Sequence, residues 1–195
     1  MSKGRLEAFS DGVLAIVITI MVIGLVPPSD PNLDALLNLW PKFLSYVLSF
    51  ALVGIYWNNH HHLLQAAHSV SASVLWANMH LLFWLSLIPF GTAWMGETSF
   101  APIPVAFYGV LLITPAFAFT LLIQALLRAP NQPPALALAT KSQTKGVLSM
   151  GAYIVSVPLA LVLPLAAVAL FIATAIMWIV PQRSIEQALN RGDTG

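Results

Sequence analysis

The chain has 195 residues, 58% of them hydrophobic and only 8% charged, with a net charge of +1 and a mean hydropathy of +0.84. A soluble domain carries about 25% charged residues, so a water-soluble fold is excluded, and the near-neutral balance offers no footprint for nucleic acid. Cysteine is absent, which removes disulfides and thiolate metal ligands.

A helical membrane crossing needs about 20 mostly apolar residues, and the chain offers six such stretches. The first runs from about Leu6 to Val26 and stops at Pro27-Pro28. Glu7 and Asp11 precede its apolar run and no small-residue cleavage site follows it, which predicts a retained helix and not a signal peptide. Arg5, Ser10 and Asp11 stand at its start, and ionisable groups at membrane depth are costly enough to mark a functional site. On a helical wheel, Phe9, Gly12, Ile16, Thr19, Ile20, Ile23 and Pro27 share one face. Ser10 and Asp11 lie about 120–140° from Ile16. This predicts Asp11 turned into the protein and the Ile16, Thr19, Ile23 stripe turned toward a partner or a pore. The bland alternative is that the stripe packs against neighbouring helices, with Thr19 bonded back to the Ala15 carbonyl.

The second crossing runs from about Trp40 to Asn59 and leads into His60-His61-His62; the third runs from Val70 to Trp94 and carries Trp76, Asn78 and His80. The fourth runs from Pro104 to Leu127, and the segment Arg128 to Lys145 reads as a flexible cytoplasmic connector. Gly146 to Val180 is too long for one crossing and predicts two, with a turn between Pro158 and Pro164. Residues 1–181 thus form a six-helix transmembrane domain, and 182–195 a polar tail. Lys3, Arg5, Arg128, Lys141, Lys145, Arg183 and Arg191 fall on one side, with Lys42 alone opposite. By the positive-inside rule both termini are cytoplasmic.

The topology brings Ser10, Asp11, Trp57, His60, His61 and Asn78 to one depth. A hydrogen-bonded network tying three helices would satisfy these groups, since unpaired burial is costly. A metal site at the histidines is disfavoured. Three consecutive histidines on a helix point three ways, and the H-E-x-x-H spacing is missing. No G-x-S-x-G elbow supports a hydrolase. A secondary transporter with a midplane site is the competing class, which Pro158 and Pro164 keep open as marks of a broken helix.

The spelling Arg5, Phe9, Ser10, Asp11 matches R-x-x-x-F-S-D, and Gly12-Val13-Leu14-Ala15-Ile16 with Thr19 continues it. Tyr56-Trp57, His60-His61 and Leu63, then Asn78, Ser86-Leu87 and Pro89-Phe90, complete a pattern over the first three helices. Together these resemble the transmembrane protein 175 family of potassium channels. The resemblance implies a homotetramer in a prokaryotic inner membrane, with the first helix of each chain lining a central pore. It also implies potassium-preferring passive conduction with no cofactor and no T-V-G-Y-G filter. Ile16 would form the hydrophobic constriction, Thr19 a hydroxyl layer met transiently by K+, and Ile23 the next pore position. Arg5, Phe9, Ser10 and Asp11 would be packing and network residues. The neutral Gly24-Leu25-Val26-Pro27 departs from the charged residues many members place there.

Overall fold

The computed structural model describes residues 2–140 and 144–179, and the described elements are helices. The predicted polar tail and the cations Lys141, Arg183 and Arg191 lie outside the described residues. Helix α1, Lys3–Ile23, is 21 residues long. That is about 32 Å at 1.5 Å per residue, close to the thickness of a bilayer core. It ends at Gly24, ahead of Pro27-Pro28, where helical geometry becomes unfavourable. Its buried residues are Leu6, Ser10, Leu14, Val17 and Met21, one per turn along one side.

A short α2, Leu33–Leu37, is capped by Asn32, whose Oδ1 accepts from the Ala35 amide at 2.7 Å. Helix α3, Trp40–Ala66, runs seven residues beyond the predicted Asn59. The polar stretch Asn58 to His62 stays helical because a helix satisfies its own backbone whether it lies in lipid or in water.

The predicted third crossing is not one continuous helix. It divides at Leu87 into α4, Ala72–Ser86, and α5, Ile88–Glu97. Pro89 has no amide proton to give to Leu85, and the Leu87 amide turns back to Trp84 O at 3.2 Å instead. Helix α6, Pro102–Leu127, lies at the centre of the bundle. It packs against α4 and α5 and buries Tyr108, Leu112 and Leu122 completely.

The predicted connector after α6 is ordered over its described part. Gln132 accepts from the His68 amide at 3.0 Å and donates to Ser69 O at 2.9 Å, while Ser69 Oγ donates to Pro130 O. Helix α7, Pro134–Thr140, follows and buries Leu136. Polar side chains at a loop can replace the regular ladder, and here they fasten the α6–α7 link to the α3–α4 corner.

The last two helices are α8, Thr144–Val162, and α9, Pro164–Ile179. They form an antiparallel hairpin. Lys145 Nζ donates to Met177 O at 2.8 Å, and Trp178 Nε1 donates to Ser149 Oγ at 2.8 Å. The turn falls at Leu163, inside the predicted interval, and Pro158 stays within α8. Among the described residues, four helices have the length and apolar composition to cross a membrane: α1, α4 with α5 taken as one, α6 and α8. Helix α3 is longer but carries its polar end, and α9 has 16 residues.

Gly96 sits where the end of α5 meets the start of α3. A Cβ there would lie 2.9 Å from Lys42 Cα and 3.4 Å from Pro41 O, both backbone atoms that cannot turn aside. The chain then reverses through Ser99 and Phe100, both at positive φ, with the Phe100 ring 5.4 Å from Trp40. Gly96→Ala is expected to cost about 1–3 kcal/mol through overpacking. Gly151→Ala, on α8 with nothing within 4 Å of the new carbon, should be neutral or stabilising. Thermal unfolding of the two purified variants in detergent checks the contrast.

Candidate functional site

The polar groups of the first three crossings do meet, but as two separate assemblies. In the first, Ser10 Oγ donates to Leu6 O at 2.8 Å and accepts from Asn78 Nδ2 at 2.9 Å. Asn78 Oδ1 lies 2.7 Å from His60 Nε2. An amide oxygen can only accept, so Nε2 carries the proton. Ser10, Asn78 and His60 are all buried. Helices α1, α3 and α4 are thereby joined by one chain of satisfied bonds, and among the described residues no buried side-chain polar atom lacks a partner.

The second assembly lies on the surface of the protomer. The predicted inward turn of Asp11 is not observed: Asp11 is exposed, and its Oδ1 accepts from Trp57 Nε1 at 2.9 Å. The His61 ring stacks on Trp57 with centroids 6.0 Å apart. Adjacent residues on a helix are rotated by about 100°. When Ser10 takes the buried face, Asp11 must leave it, and His60 and His61 separate in the same way. Arg5 is exposed, its side chain with no hydrogen-bond or ion-pair partner among the described residues, and Phe9 is 47% exposed. Neither joins the expected network.

The opposite face of α1 is left uncovered by its own protomer. Phe9, Gly12, Ile16, Thr19, Ile20 and Ile23 are all exposed on the protomer, Ile16 at 58% and Ile23 at 75%. Thr19 Oγ1 donates back to Ala15 O at 3.0 Å and lies equally close to Ile16 O. Its one proton is therefore engaged with its own helix, and its oxygen lone pairs are left toward the outside. Among the described residues no group of three or more histidine, aspartate or glutamate side chains is arranged to hold a metal ion.

A further buried chain was not expected from the sequence. Thr92 Oγ1 lies 2.6 Å from Ser49 Oγ and 2.8 Å from Ile88 O, and Ser49 Oγ lies 2.7 Å from the Tyr108 hydroxyl. Thr92 also approaches the sulfur of Met21 at 3.7 Å. Residues 43 and 59 positions apart give no local pattern that would reveal such a contact.

Comparison with known proteins places this geometry. Residues 5–89 match the family described as the endosomal/lysosomal potassium channel TMEM175. A potassium channel of Chryseobacterium sp. (strain P1-3) is 46% identical over 97% of this chain and 99% of its own length. A potassium channel of Chamaesiphon minutus is 36% identical over 48% of this chain and 49% of its own. The human endosomal/lysosomal proton channel TMEM175 is 40% identical over 32% of this chain and 15% of its own. In three dimensions the fold is similar to the crystal structure of a lysosomal potassium-selective channel TMEM175 homolog from Chamaesiphon minutus. The TM-score is 0.81 at 26% identity, over 91% of this chain and 96% of that one. The chain is thus a multi-pass helical membrane protein of the channel class. It belongs to the TMEM175 family.

Asn78→Leu keeps the shape of the side chain but leaves the His60 Nε2–H buried without an acceptor. A loss of about 1–3 kcal/mol is expected. Trp57→Phe breaks only the exposed bond to Asp11 and should cost clearly less. Melting curves of the two variants in one detergent check the order; a reversed order would show that the surface pair is the main tie.

Proposed function

We propose that this chain is a passive, potassium-preferring cation channel of a bacterial cell membrane. It works as a homotetramer, with four copies of α1 around a central pore. Each chain would cross the membrane six times, through α1, α3, α4 with α5, α6, α8 and α9, with both termini in the cytoplasm. The names of the bacterial relatives and the distribution of lysine and arginine support this reading. The observation that carries it is the face of α1 that its own protomer leaves uncovered. That face bears Ile16, Thr19 and Ile23 at helical spacing, while the reverse of the same helix is pinned by Ser10 to Asn78.

On this arrangement a ring of Ile16 side chains narrows the pore, and Ile23 extends the apolar lining. Narrow apolar rings gate by dewetting, because water and ions leave a passage that cannot hydrate them. Four Thr19 oxygens offer lone pairs that take the place of part of the hydration shell of K+. The selectivity of such a layer is modest beside that of stacked backbone carbonyls. Asp11, Trp57 and the Ser10–Asn78–His60 chain hold the helix in register and do not themselves touch the ion.

Ile16→Asn should raise single-channel conductance and lower the preference for potassium over sodium. Thr19→Val should lower the preference without opening the constriction. Planar-bilayer recordings with potassium on one side and sodium on the other measure both effects. Unchanged currents from Ile16→Asn would remove α1 from the pathway. Strict dependence of potassium flux on a second, coupled ion would replace the channel with a carrier.

A further inference from the structure

The end of α1 opposite the Ser10 network borders a cleft that the channel reading does not use. It lies between the last turn of α1, the start of α3 and helix α5, and has a volume of about 300 Å³, at the small end of the range for ligand sites. Its sides are apolar, formed by Ile20, Leu25 and Phe90 among others. Its polar groups are Lys42, Tyr46, Glu97 and Thr92, with Lys42 and Tyr46 one turn apart on α3 and the Thr92 hydroxyl already engaged with Ser49 and the Ile88 carbonyl.

The two charges are unusual in this chain. Lys42 is the only lysine or arginine between Arg5 and Arg128. It is half-buried. Glu97 borders the same cleft, because Gly96 packs against the Lys42 backbone. The two do not pair with each other, and among the described residues neither has a hydrogen-bond or ion-pair partner. One cation and one anion thus stand apart above an apolar cleft at the end of a membrane helix.

We propose that this cleft binds one phospholipid with a zwitterionic, primary-ammonium headgroup. The phosphate sits at Lys42 with a hydrogen bond from the Tyr46 hydroxyl. The ammonium donates to the Glu97 carboxylate, and an acyl chain lies against Leu25, Pro89 and Phe90. The charge pattern selects among lipids. An anionic headgroup would satisfy Lys42 and be repelled by Glu97. A quaternary ammonium has the charge to suit Glu97 but no proton to give it. A small soluble zwitterion would match the mouth and waste the apolar cleft, whereas a lipid fits both. The bound lipid would brace the last turn of α1 against α5. This inference rests on the place of the chain in a membrane and not on the pore assignment, so the two fail separately.

The test uses the intact assembly in nanodiscs holding equal parts phosphatidylethanolamine, phosphatidylcholine and phosphatidylglycerol, followed by native mass spectrometry of retained lipid. The unmodified protein should retain phosphatidylethanolamine several-fold over the other two. Lys42→Gln and Glu97→Gln should each reduce that retention by about fivefold, the scale of one partly exposed charge contact. Ala93→Trp, which fills the cleft, should abolish it. Equal retention of the three lipids by the unmodified protein would overturn the proposal, as would unchanged retention in both charge variants. The chain has no cysteine, so Ala93→Cys supplies a unique thiol. Cross-linking of that thiol to a neighbouring copy would show that protein and not lipid covers the cleft, and would also overturn it.

Discussion

The rotation of α1 about its own axis is the constraint on which the rest of the molecule depends. In water a helix is turned by the hydrophobic effect, which hides one face and exposes the other. In lipid that force is nearly lost, because the acyl chains are as apolar as leucine. Leu14 and Ile16 are equally content inside the bundle or facing out, so composition alone cannot choose between them. The choice is made by Ser10, which has a partner in Asn78 on one side of the helix and none on the other. Asn78 is fixed in turn by His60. Once this chain of bonds is formed, Leu6, Leu14, Val17 and Met21 must follow inward and Ile16, Thr19 and Ile23 must follow outward.

A second set of polar contacts acts near the other end of the helix. Met21 lies eleven positions after Ser10, about 16 Å along the axis. There the buried group Thr92–Ser49–Tyr108 ties α5, α3 and α6 together and touches the Met21 sulfur. The break at Leu87 belongs to this arrangement. It starts α5 afresh, so Thr92 stands one turn into the new helix with the Ile88 carbonyl as its own partner. Helix α1 is thus held at two levels by groups that hydrogen-bond within the membrane. Leaving either set unpaired would be costly there, because no water takes the place of the missing partner.

Much of this was legible in the sequence, and the rest was not for physical reasons. The apolar crossings follow from composition, and the grouping of Ile16, Thr19 and Ile23 on one side of α1 follows from a wheel, since helical period needs no tertiary information, but which side faces out is decided by the Ser10–Asn78 bond. The separation of Asp11 from Ser10 was written in their adjacency; expecting both in one network asked one helix to face two ways. Pro89 carried the signal for the break at Leu87, but proline in a membrane helix bends as often as it divides, and only packing decides. The order in the α6–α7 link depends on Gln132 finding Ser69, and the Ser49–Thr92–Tyr108 group depends on three distant helices. No local pattern encodes such meetings.

The same backbone rule limits what the exposed face of α1 can do to an ion. The helix is continuous from Lys3 to Ile23, so the carbonyls of Ile16 and Thr19 are engaged within it and only those of its last turn lie beyond the ladder. Filters made of backbone oxygen need an irregular chain, which this segment lacks. What remains on the proposed pore side is isoleucine, glycine and one threonine. Isoleucine can only exclude water. Thr19 gives its proton to Ala15 and so presents an oxygen acceptor with no donor, a group suited to a cation and indifferent to an anion. A pathway built from these parts therefore owes its restriction to size and dryness, and any preference among cations to a single layer of hydroxyl oxygens.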